Sequence, residues 1–232
     1  TGQVTTTGEI TPERSSYLGT DLADDHPISF SYLDATVDPE IVSPPPTDPR
    51  LIFYGNSSVE CSTCHDAHED NQCDKGYDCK VLVMDNQYSG LCIKCHNMDG
   101  WLNSTKATSG ATWNGAPPDP WPHSEWLTVA ENACENCHMP HSAGGPERLL
   151  NSPEEEGNCF PCHNGNVASK NVEADFEKVS HHSVENTVGI HDPEENPLIT
   201  GHVECTDCHN PHAHNDRTAE APDISGSLEK VT

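Results

Sequence analysis

The chain has 232 residues, 33% of them hydrophobic and 6% aromatic, with 16 Gly and 19 Pro to interrupt regular structure. Asp and Glu number 38 against 11 Lys and Arg, and the resulting charge of -27 repels phosphates and excludes nucleic-acid binding by counterion release. So little apolar material at so high a charge is the composition of a disordered chain, yet 12 Cys and 15 His are far too many for one, and something other than an apolar side-chain core must organise this protein.

Residues 1–60 hold no cysteine. They begin Thr1-Gly2-Gln3-Val4, with no basic stretch leading into an apolar one, so any secretory leader is expected to have been removed. The Pro44-Pro45-Pro46 run and scattered Asp predict an extended arm, which carries His26 in Asp24-Asp25-His26-Pro27-Ile28. The second unit, 61–232, is built on a repeat of Cys-x-x-Cys-His. Its five copies are Cys61/Cys64/His65, Cys92/Cys95/His96, Cys134/Cys137/His138, Cys159/Cys162/His163 and Cys205/Cys208/His209, numbered here as motifs 1 to 5. Composition alone would produce about 0.04 copies by chance. Cys73 and Cys79, between motifs 1 and 2, are the two cysteines left over, and in an exported protein they predict a disulfide. A Trp- and Pro-rich loop spans 101–133, and a 46-position gap with His181-His182 separates motifs 4 and 5. The acidic runs Glu154-Glu155-Glu156 and Asp192 to Glu195 read as solvated faces, and 215–232 as a polar tail. No run of about 18 apolar residues occurs, so no membrane span is predicted. Short helical turns are expected at the motifs, mostly coil between them, and little or no sheet.

The spacing has a chemical reason. Two thiols three positions apart on one helical turn can add to the two vinyl groups of one porphyrin, and the His after the second Cys then coordinates the iron. Structural zinc on paired Cys-x-x-Cys knuckles would not need His in that place. The expected cofactors are therefore five covalent haems c, held by the ten motif cysteines with His65, His96, His138, His163 and His209 as proximal ligands. Five porphyrin plates would replace the missing aliphatic core, and Trp101, Trp113, Trp121 and Trp126 are expected to pack on their faces.

Each iron then has a sixth position to fill. The chain has three Met, in no ligand pattern, so bis-histidine ligation and low potentials are expected. His68, His141 and His212 each follow a proximal His by three residues, too close to fold over their own haem and well placed for a neighbouring one. His26 and His182 complete the preferred set, with His123, His191 and His202 as competitors. His181 and His214 read as neighbours of ligands. His26, on a long haem-free arm, is the candidate to reach an iron in an adjacent copy of the chain.

Asp24-Asp25-His26-Pro27-Ile28-Ser29-Phe30, Asn132-Ala133-Cys134-Glu135-Asn136-Cys137-His138-Met139-Pro140-His141 and His202-Val203-Glu204-Cys205-Thr206-Asp207-Cys208-His209-Asn210-Pro211-His212 carry a resemblance to multihaem c-type cytochromes of metal-respiring and electroactive bacteria. The similarity extends over most of residues 19 to 215 and is to the OmcE-like extracellular cytochromes in particular. It implies a subunit that polymerises head to tail into a haem-wired filament, with copies of itself, other redox cytochromes and extracellular electron acceptors as partners. The typical subunit of that family holds four haems, one fewer than the motifs here, and relatives often carry a His at the position of Lys106.

The leading reading is therefore electron transfer by low-spin haems, outside the cell or at its surface, with a periplasmic shuttle as the alternative. A multihaem reductase needs one open iron and adjacent acid–base groups, and ten spare His for five irons argue against it. A calcium-binding protein is the weakest reading of the acidic runs.

Overall fold

A computed structural model describes residues 17–55, 57–68, 81–122, 124, 126–145, 147–182, 203–215 and 217. Cys73, Cys79, His123, His191 and His202 lie outside them. The fold is mostly coil with short helices, as its composition dictates. Helices α1 (Tyr32–Ala35), α2 (Cys61–Cys64), α3 (Thr105–Thr108), α4 (Val129–Asn132) and α6 (Glu173–Phe176) are single turns. Only α5, Glu155–His163, exceeds two turns, and it includes Pro161, which donates no ladder bond. The one sheet among the described residues pairs β1 (Phe30–Ser31) antiparallel with β2 (Ser58–Val59), in the register Phe30 to Val59.

The apolar core is correspondingly small. Leu51, Val83 and Met84 form one buried cluster, with Phe53 and Leu91 against it. Other buried apolar side chains, among them Tyr32, Trp101, Trp121, Val129 and Ala133, are strung along the chain near the motifs. Leu102 and Leu127, at 73% and 72% exposure, lie outside any protein core.

The stretch before motif 1 is tied to motif 2. Val42 N–H donates to Cys95 O at 2.8 Å, Asn97 N–H to Glu40 O at 2.7 Å, and the Tyr32 hydroxyl to Val42 O at 2.9 Å. A second group of bonds ties it to motif 3: His26 N–H to Pro140 O at 2.8 Å and Ala143 N–H to Asp24 O at 2.9 Å. These contacts fix where His26 sits.

Candidate haem sites

Each motif is a closed turn. The carbonyl of the first Cys accepts the N–H of the motif His at 3.0 Å for His65, His96 and His138 and 2.9 Å for His209. One such bond puts the two sulfurs three residues apart on the same side and leaves the His at the exit of the turn. Side chains lock the turn starts: Thr63 Oγ1 accepts Glu60 N–H at 3.0 Å in motif 1, and Asp207 Oδ2 accepts Glu204 N–H at 2.8 Å in motif 5. The ten motif cysteines form no disulfides.

Sulfurs of successive motifs are neighbours. The thiols of Cys92 and Cys134 shift one another's pKa, and so do those of Cys159 and Cys205, while burial and a neighbouring thiol push Cys64 up to about 11 and Cys162 up to about 12.

Three of the five motif histidines face other histidines across a near-constant gap. Ring centroids are 6.0 Å apart for His65 and His141, 6.3 Å for His96 and His26, and 6.2 Å for His138 and His212. An imidazole centroid lies about 1.1 Å from its Nε2 and a metal–imidazole bond is about 2.0 Å, so two rings on opposite sides of one metal have centroids about 6.2 Å apart. Ring stacking would fix the angle and let the gap vary; here the interplanar angles are 32°, 79° and 13° while the gap holds. The residues present fit haem iron at these three places. Trp101 packs edge-on against His212 at 6.3 Å and steadies that ring.

The tautomers agree with this geometry. His26 Nδ1 meets Pro27 O at 2.9 Å and His138 Nδ1 meets Arg148 O at 2.7 Å. A carbonyl only accepts, so Nδ1 carries the proton and Nε2 offers its lone pair. His141 Nδ1 is set in the same way by Asp25 Oδ1 at 3.0 Å. Burial pushes His26, His96 and His138 below the usual imidazole value, and His163 and His212 down to about 4, so all five are neutral at pH 7 as metal ligation requires.

Asp25 gave no signal in the sequence and holds the His141 ring in place. Its buried carboxylate accepts from His141 Nδ1 and, at 3.2 Å, from Ser142 N–H, while its backbone precedes His26. Asp25→Ala is expected to cost about 1–3 kcal/mol by orphaning those two donors, measured as a lower thermal midpoint of the haem-loaded protein with its haem content unchanged. Asp25→Asn, which keeps an acceptor oxygen, should recover most of the loss.

Within this chain His26 faces His96, held there by its N–H bond to Pro140 O. One expectation requires correction. Glu155 and Glu156 are not a solvated face but buried, because the N-terminal turn of α5 packs on motif 5, where Glu155 accepts Thr206 N–H at 2.8 Å and Thr206 Oγ1 at 2.6 Å. The tryptophans differ in setting: Trp121 is buried and donates from Nε1 to Asn136 Oδ1 at 2.7 Å, whereas Trp113 is half-buried and donates to Ala116 O at 2.6 Å.

His68, His181, His182 and His209 are exposed. His214 is half-buried. Among the described residues no group of three or more His, Cys, Asp or Glu is arranged to hold a bare metal ion, and no helix is long and apolar enough to cross a membrane.

Residues 128–168, which span motifs 3 and 4, match the family of the doubled CXXCH motif. The doubled motif marks covalent attachment of haem c. A multiheme cytochrome, MtrA of Shewanella baltica (strain OS185), is 26% identical over 163 residues, which are 67% of this chain. The similarity covers 36% of that protein, so the chain spans about a third of its relative's length. The comparisons support a multihaem c-type cytochrome. Such cytochromes are mainly electron carriers, and the relationship fits an exported protein. No solved structure matches the chain.

Proposed function

We propose that the chain carries electrons through five covalent, bis-histidine, low-spin haems, as a subunit of an extracellular cytochrome filament. The observation that carries this reading is the constant 6.0–6.3 Å gap between three proximal histidines and three others. Two strong imidazole ligands leave an iron no open position, so it changes oxidation state with little rearrangement and acts as a relay. The mutual influence of thiols in successive motifs supports haems that would follow one another in chain order, motif 1 to motif 5.

The polypeptide's own part is to hold the plates in line, keep the ligand imidazoles neutral and exclude competing ligands. Intact-mass measurement of the denatured protein should show five haem increments, because thioethers survive unfolding. Four increments would remove one motif from the relay.

The filament is the finer part of the proposal. The two ends of the chain-order relay carry exposed histidines, His68 beside motif 1 and His209 within motif 5. With His26 committed to His96, His68 is the candidate to bind the motif 5 iron of the next copy. A contact of this heterologous kind does not close and propagates indefinitely. Electron microscopy of purified protein should show micrometre filaments that His68→Ala reduces to particles. Particles from the unaltered chain would leave a soluble periplasmic shuttle, passing electrons to other cytochromes.

A further inference from the structure

Motif 5 is set against buried carboxylates. Glu155 and Glu204 are 5% and 1% exposed, and Glu156, next to Glu155 in sequence, is buried as well. We propose that the fixed negative charge of Glu155, with that of Glu204, holds the motif 5 haem at the lowest midpoint potential of the five, an assignment that rests on the covalent-haem reading above. Within one chain this haem is then the last to take an electron and the first to give it up.

Motif 5 closes as the other turns do. His209 N–H donates to Cys205 O at 2.9 Å, and neither Cys205 nor Cys208 is in a disulfide, so the turn fits the porphyrin that its neighbours fit. Thr206 stands between these two cysteines. Its N–H donates to Glu155 Oε1 at 2.8 Å and its hydroxyl to Glu155 Oε2 at 2.6 Å. Both oxygens accept, and the second distance is that of an O–H···O⁻ bond, so Glu155 is held as the carboxylate. It lies one hydrogen bond away from the turn whose sulfurs bond to the porphyrin. Glu204 directly precedes Cys205, with its N–H donating to Asp207 Oδ2 at 2.8 Å. The thiol of Cys205 reports the same surroundings: Cys159 pulls it down, against burial and the charges of Glu155, Glu204 and Glu156.

The step being biased is the addition of one electron to ferric iron, with no bond made or broken. Ferric iron carries one more positive charge than ferrous iron, so a neighbouring carboxylate favours the ferric form and lowers the potential. Burial keeps away the water and salt that would screen an exposed charge. Glu155 begins α5, the helix that ends in motif 4, but its hydrogen bonds turn it toward motif 5. Motif 2 is the contrast, because its turn carries Lys94, which shares Asp48 with Arg50 at 3.1 Å and 2.7 Å.

The test uses the full chain with its haems attached, titrated potentiometrically while the haem-methyl proton signals of each haem are followed. The motif 5 haem should show the lowest of five midpoints. Glu155→Gln keeps an acceptor oxygen and removes the charge, so that midpoint should move positive while the other four hold and every haem keeps its spin state. The shift should persist in about 1 M salt, where exposed charges are screened. Glu155→Asp, which restores the charge, should return the midpoint to its low value. Thr206→Val removes the hydroxyl but leaves the carboxylate, and should produce no rise. A rise as large as that of Glu155→Gln would make packing of α5 the cause and overturn the proposal. It also falls if motif 5 is not the lowest, or if Glu155→Gln moves motif 4 instead, moves all five alike, or loses its effect in salt. A motif 5 peptide without haem mass would overturn the covalent-haem reading as well; haem mass on that peptide with a silent Glu155→Gln overturns this assignment alone.

Discussion

A chain from which haem is withheld is expected not to fold at all. The buried apolar cluster comprises Leu51, Val83 and Met84, with two partly buried neighbours, far less than a domain of this length needs to offset its conformational entropy. Single-turn helices have no stability of their own, because nucleation fixes several residues for one hydrogen bond. Leu102 and Leu127 face away from protein, and the buried tryptophans Trp101 and Trp121 abut a ligand ring and a motif turn rather than a core. Replacing all ten motif cysteines by Ala, or producing the chain without haem attachment, should remove the whole stabilisation, typically about 5–15 kcal/mol for a domain. Far-ultraviolet circular dichroism should then report coil, with no cooperative thermal transition. A sharp melting transition in the haem-free chain would show that the polypeptide has a core of its own.

Replacing His141 by Ala should open the iron of motif 1 and no other. His65 would remain as the proximal ligand, the other four haems would keep both imidazoles, and the reduced protein should go from binding no carbon monoxide to binding one per chain. His26→Ala should do the same at motif 2, His212→Ala at motif 3, and the double variant His26→Ala with His141→Ala should bind two. The assignments would be wrong if His141→Ala stayed low-spin, or if opening motif 1 required loss of His68 instead. Removal of Asp25 would not mimic loss of His141, since it frees the ring's Nδ1 but leaves Nε2 to the iron.

The chemistry was legible in the sequence because thioether attachment constrains residues within five positions of one another, and a pattern that local survives reading in one dimension. His141 and His212 stood out as candidate ligands for the same reason, each standing three residues after a motif His. Their partners did not. His141 meets His65 and His212 meets His138 through contacts between distant segments, and no local pattern records which segments meet. His26 shows the limit from the other side: an isolated His on a Pro-rich arm reads as free to wander, but backbone bonds to Pro140 O hold it beside His96. Acid runs read as solvated because isolated carboxylates are costly to bury, and Glu155 escapes that rule only by binding Thr206 with both oxygens. Coil between short turns was the expected architecture, and it is what the described residues show.

The direction in which the ring pairs run along the chain sets a timetable. His26 precedes His96, so the ring that faces motif 2 is synthesised before that motif. Motifs 1 and 3 are in the opposite position: their opposing rings, His141 and His212, follow them by roughly seventy-five residues, long loops that the iron closes late. A nascent chain halted just before residue 141 would thus carry a finished motif 2 haem beside an unfinished motif 1 haem, and one halted before residue 212 would leave motif 3 waiting. Maturation is expected to proceed out of numerical order, and the last dozen or so described residues, which hold His212, would decide when motif 3 is complete.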